Sequence, residues 1–106
     1  MADSAHGAAD FLKALAHESR LLILCLLCQG EKSVSELESL LSQRQSTVSQ
    51  QLARLRLEGL VSYRRDGKSI YYNLANDDVR TILKAVYDVF CAKRGSSAKQ
   101  RLRRHA

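Results

Sequence analysis

Apolar residues recur along the chain in two periods. Ala8, Phe11, Leu12 and Leu15 fall three and four apart, which predicts a helix over about 8–16. A nearly continuous apolar run from Leu21 to Cys28 places a second helix, with His17 where its N-cap is needed and Gly30 as its stop. Ser33-Val34-Ser35-Glu36 has the spacing of a capping box, so a third helix opens at Val34 and ends near Leu41. Gln43-Arg44 forms a turn. A fourth helix is expected from about Gln45 to Glu58, closed by Gly59.

The period then changes from three or four to two. Val61, Tyr63, Ile70, Tyr72 and Leu74 alternate with polar residues on either side of Asp66-Gly67, the pattern of a hairpin with a tight turn. Asn76 or Asp77 caps a fifth helix. Its apolar positions, Val79, Ile82, Leu83, Val86, Tyr87 and Phe90, form a stripe wider than a lone surface helix requires, and such a stripe asks for a partner. The element order predicts a mainly α winged helix-turn-helix: five helices with a β-hairpin wing. One domain is expected over residues 1–91, followed by a disordered basic tail over 92–106.

The fourth helix carries the most chemistry. Val48, Leu52 and Leu55 share one side of the helical wheel and must face a core. Ser46, Gln50, Ala53 and Arg54 fall opposite, flanked by Thr47 and Ser49, with Arg44 and Gln45 at the entry to the helix. An exposed face of Ser, Thr, Gln and Arg suits base edges: Gln bonds adenine bidentately and Arg bonds guanine. Ser and Thr near a helix N-terminus contact phosphate. A bland alternative is an amphipathic helix with an uncharged outer face. Arg64, Arg65 and Lys68 flank the hairpin turn, where they would touch phosphate or the minor groove. The alternative there is protection of a strand edge by charge.

Charge sharpens this picture. The formal net charge of +6 is carried by the last fifteen residues, which hold six bases and no acid. The rest is neutral overall but segregated. Residues 44–68 carry six bases against two acids, whereas residues 1–43 carry three bases against six acids. A segregated basic patch is the footprint of a polyanion binder. The 106-residue length suits one domain. The N-terminus lacks the pattern of a secretory signal, and no apolar stretch is long enough to span a bilayer, so a cytoplasmic protein with no membrane role is expected. No paired carboxylates, Ser/His/Asp grouping or Gly-rich phosphate loop points to an enzyme or to a cofactor.

Three cysteines are too few for a disulfide scaffold, so free or switching thiols are expected. Cys25-Leu26-Leu27-Cys28 has C-x-x-C spacing, but it lies in the last turns of its helix. There the dipole disfavours the thiolate that a redox pair needs. Both residues also fit as core filling. Cys91 follows Phe90 at the end of the fifth helix and precedes Lys93 and Arg94, which favour its thiolate.

The pattern LKALAHESRLLILCLL, GEKSVSELESLL and QSTVSQQLARLRLEGLVSYRRDGKSIYYNL resembles the ArsR family of bacterial winged-helix repressors over about residues 8–91. The resemblance implies a homodimer built from the first and last helices. It also implies a palindromic double-stranded DNA operator, with one recognition helix per half-site. Many relatives have Ser where this chain has Arg44, which removes a cap and adds a cation. The family's metal sites are a C-x-C motif in the third helix and Asp/His pairs on the last. Here the third helix has no Cys and residues 77–91 no His, while His6, His17 and His105 are scattered, so no metal site is expected. One subgroup carries a Cys in the second helix and another after an aromatic residue at the end of the last, and Ile23-Leu24-Cys25 and Val89-Phe90-Cys91 match both. That subgroup contains repressors that sense persulfides and regulators that respond to oxidants. The resemblance therefore implies a persulfide or oxidant effector acting on a Cys25/Cys91 dithiol switch, with Cys28 an extra. The alternatives are a metal-responsive repressor of the same family and a winged-helix regulator with inert cysteines.

Overall fold

The computed structural model describes residues 1–90. Its elements, in chain order, are α1 (Ala2–Leu15), α2 (Glu18–Cys28), β1 (Lys32–Ser33), α3 (Val34–Leu41), α4 (Gln45–Leu57), β2 (Val61–Asp66), β3 (Ser69–Leu74) and α5 (Asp77–Phe90). Cys91 and the expected tail lie outside the described residues.

Helix α2 is the axis of the fold because it is apolar nearly all round, and a helix of that kind must be surrounded. Ile23, Leu24 and Leu27 are fully buried and Cys25 almost so. Around them pack α1, α3, α5 and β3. The remaining core comes from Leu37 of α3, Val48, Leu52 and Leu55 of α4, Leu60, Val61 and Leu74 around the hairpin, and Val79 and Leu83 of α5. Among the described residues no polar side chain belongs to the buried core.

The ends of the elements follow local chemistry. Glu36 N–H donates to Ser33 Oγ at 3.1 Å and Ser33 N–H donates to Glu36 Oε1 at 3.0 Å, the reciprocal bonds of the capping box that opens α3. Helix α4 closes in a Schellman arrangement. Gly59 takes φ 76, its N–H donates to the Arg56 carbonyl at 3.0 Å, and the Leu60 N–H donates to the Leu55 carbonyl at 2.9 Å. That turn delivers buried Leu60 and Val61 directly into the hairpin.

Three features differ from the sequence-based expectation. Helix α1 begins at Ala2, six residues earlier than the apolar pattern, because its first turns bury nothing and leave no periodicity to read. Asp66 pairs with Ser69, so the hairpin turn is Gly67-Lys68, one residue later, with Gly67 at φ 62. A third strand, β1, pairs antiparallel with β3 (Lys32 with Tyr72, Ser33 with Tyr71), giving the sheet order β1-β3-β2. Two residues are too few to display alternation.

Candidate nucleic-acid interface and thiol positions

Helices α3 and α4 are joined by Ser42, Gln43 and Arg44. Ser42 takes the left-handed conformation, φ 53, and the Gln43 N–H donates to the Glu38 carbonyl at 3.3 Å. Arg44 occupies the N-cap of α4 in extended conformation, and its side chain makes no capping bond. At the equivalent place before α2, His17 is the N-cap residue by its backbone, and its imidazole likewise makes no capping bond.

Burial of Val48, Leu52 and Leu55 at 0% exposure fixes how α4 is rotated. The opposite surface is the one expected: Arg44, Gln45, Ser46, Thr47, Ser49, Gln50, Ala53 and Arg54 are all exposed. Gln50 and Arg54 share a shallow cleft with His17 and Arg20 from the start of α2. Arg54 Nε lies 3.5 Å from Glu58 Oε1, one turn on, and Glu58 Oε2 also holds Arg20 Nη1 at 3.1 Å. Arg20 is only 13% exposed and reaches the Ala14 carbonyl at 3.4 Å, so the end of α1, the start of α2 and the end of α4 meet on one guanidinium. Neither partnership of Glu58 was read from the sequence; the one with Arg54 has an i,i+4 spacing that could have shown it, whereas the one with Arg20 has no local pattern.

The wing is joined to α4 by stacking. Arg56 lies over the Tyr63 ring at 4.8 Å, and Tyr63 meets Tyr72, its cross-strand partner, at 5.8 Å between ring centres. Of the three wing cations, Arg65 and Lys68 are exposed and make no ion pair among the described residues. Arg64 is engaged differently. Its guanidinium makes a two-point bond to Glu31, at 2.7 and 2.9 Å, and lies 4.7 Å over the Tyr71 ring. The hydrogen bond from Arg64 holds the Glu31 carboxyl below the usual carboxylate range. Glu31 was not singled out from the sequence. It stands 33 residues from Arg64, and no local pattern joins them.

Cys25 lies in the core face of α2, 7% exposed. Cys28 is the last residue of α2 and half-buried, beside a hollow lined by Gln29 and by Arg80, Lys84, Tyr87 and Asp88 of α5. The two helices are strapped together there. Arg80 donates to the Cys28 carbonyl at 3.4 Å, and Gln29 donates to the Tyr87 hydroxyl at 3.0 Å. The other partner expected for Cys25, Cys91, lies outside the described residues.

The model of the family of bacterial regulatory proteins, arsR family, matches residues 17–63. The chain is 51% identical over 84 residues to the biofilm growth-associated repressor of Agrobacterium fabrum, spanning 79% of this chain and 72% of that protein. Its fold superimposes on reduced HlyU from Vibrio cholerae with a TM-score of 0.82 at 40% identity, covering 86% of this chain and 96% of that one. It also superimposes on the homodimeric winged helix-turn-helix DNA-binding domain Mb0332 from Mycobacterium bovis, with a TM-score of 0.73 at 38% identity and 83% and 82% covered.

Proposed function

Since this chain belongs to the ArsR family of bacterial regulatory proteins, winged helix-turn-helix transcriptional regulators that bind DNA, we propose that it is a homodimeric repressor of a palindromic operator. On this reading it acts in the cytoplasm and releases its operator when a Cys25/Cys91 dithiol is modified by a persulfide or oxidant. The observation that carries the DNA-binding half is the surface of α4. An uncharged Ser, Thr and Gln face, edged by Arg44 and Arg54, stands opposite three fully buried residues and beside a cationic hairpin. Gln50 and Arg54 read base edges, Ser46, Thr47 and Ser49 meet phosphate or base according to depth, and Arg65 and Lys68 bind the backbone.

Dimerisation is supported by what α1 and α5 leave uncovered. Leu15 is the only buried residue of the fourteen in α1, and Leu12 is 58% exposed. Ile82, Val89 and Phe90 of α5 are 36–45% exposed. A second copy would cover both helices, and the Mycobacterium bovis relative is a homodimer.

The switch is supported by position. Cys25 lies in α2, which is bonded to the recognition helix through Arg20 and Glu58 and packs against α5, whose last described residue, Phe90, precedes Cys91. The chemistry balances with a low-molecular-weight persulfide as the oxidant. The Cys91 thiolate attacks the outer sulfur of RSSH, giving a Cys91 persulfide and the thiol RSH. The Cys25 thiolate then displaces hydrogen sulfide and closes a disulfide. Transfer of one more sulfur before closure gives a trisulfide, the better fit if the two Cα atoms stand more than about 7 Å apart. A covalent link of this kind would join the DNA-reading unit to the dimer scaffold and favour one spacing of the two recognition helices.

Mass spectrometry tests this reading after the reduced protein is exposed separately to glutathione persulfide, hydrogen peroxide and glutathione disulfide. A peptide linking Cys25 to Cys91 through two or three sulfurs is expected. Linkage of Cys25 to Cys28 instead would contradict it.

A further inference from the structure

Of the three wing cations, Arg64 is the one already held by a carboxylate. Its Nη2 donates to Glu31 Oε1 at 2.7 Å and its Nε to Glu31 Oε2 at 2.9 Å, the side-on fork in which guanidinium and carboxylate match point for point. Tyr71 lies beneath the guanidinium at 4.7 Å and is its cross-strand neighbour. Asp66 stands 3.8 Å away on a second side. Glu31 immediately precedes β1, whose Ser33 pairs with Tyr71 from the other edge. The bond therefore spans the face of the central strand and ties the tip-bearing strand β2 to the segment that leads from α2 into α3. Arg65, the next residue along β2, points to the opposite face by strand alternation and is exposed, as is Lys68 in the turn.

We infer that Glu31 and Arg64 are positioning residues that set the angle of the wing against the helix-turn-helix, and that the wing's phosphate contacts are made by Arg65 and Lys68. This rests on the reading that the wing touches DNA. Two features favour a clamp over a resting contact that phosphate would displace. Both donors on one side of the guanidinium are spent on one carboxylate, and the ring beneath fixes the plane in which they lie. A phosphate replacing Glu31 on this side-on edge would have to break both bonds and leave Glu31 facing the DNA unpaired, and a phosphate approaching the remaining Nη1 edge would meet Asp66, 3.8 Å from Nη1.

The test uses the full-length dimer and an operator duplex selected by the wild-type protein from a randomised pool, with affinity measured across a salt series. Glu31→Ala and Arg64→Ala should each weaken binding about two- to fivefold, the scale of one exposed ion pair, and the double variant should be no weaker than either. Neither change should alter the salt slope, since neither removes a phosphate contact. Arg64→Lys, which keeps the charge but not the fork, should behave like Arg64→Ala. Arg65→Ala should lower the slope by about 0.9 per protomer. Tighter binding by Glu31→Ala, a lowered slope in Arg64→Ala, or no change in either would overturn the clamp. An unchanged slope in Arg65→Ala would overturn the wing contact and the clamp with it, and that arm separates the two failures.

Discussion

Gln50 and Arg54 lie on the same face of α4 and are held differently. Gln50 is exposed and makes no hydrogen bond to another side chain among the described residues, whereas Arg54 is drawn back toward Glu58. Only the Nε of Arg54 faces Glu58, so its two Nη groups can meet a base, and any loosening of the exposed pair is a small loss in high dielectric. Gln50→Ala or Arg54→Ala should weaken operator binding by about 1–3 kcal/mol and relax base preference at one position of each half-site. Fluorescence anisotropy on operator and random duplexes checks this. Equal losses on both would place the reading face elsewhere. The face itself was legible in the sequence because Val48, Leu52 and Leu55 repeat at helical spacing and dictate what lies opposite. The anchors of its edge were not, since Arg20 reaches Glu58 across 38 residues and Glu31 reaches Arg64 across 33. Contacts of that kind are set by the packing of elements far apart in the chain, which no local pattern records.

At the scale of elements, helix α3 depends on its cap. The hydrogen bond donated by the Ser33 backbone N–H, and after it the Ser33 side chain, hold the Glu36 carboxyl below the usual carboxylate range. A depressed folded-state pKa means that this stabilisation is complete above the unfolded-state value and is lost as pH falls through the folded one. Glu36→Gln keeps an acceptor for the Ser33 N–H but does not titrate. Its thermal midpoint should fall less than that of the wild type on acidification from neutral pH. Ser33→Ala should cost about 0.5–2 kcal/mol at neutral pH. A parallel acid response of wild type and Glu36→Gln in thermal melts would show that the box contributes nothing. Such caps, like the Gly59 stop, are readable because their residues are three or four apart. Strand β1 and the first turns of α1 were not readable: the former is two residues long, and the latter buries no side chain.

For the whole molecule, the described fold leaves two apolar helix faces open and one cationic surface between the recognition helix and the wing. A repressor of a palindrome needs the first pair covered by a second copy so that two copies of the latter face one side of a duplex. Ile82→Glu, at a position 40% exposed on α5, should give a folded monomer in sedimentation and a severe loss of operator affinity. A dimer that persists would move the interface elsewhere. The regulatory claim is tested most directly by following operator release under a titration of glutathione persulfide, in anisotropy, for the wild type and three single cysteine variants. Reduced Cys25→Ser and Cys91→Ser should bind the operator and stay bound throughout, while Cys28→Ser should release it as the wild type does. Release by Cys91→Ser together with retention by Cys28→Ser would contradict the Cys25/Cys91 switch and assign the sensor to the C-x-x-C pair at the end of α2.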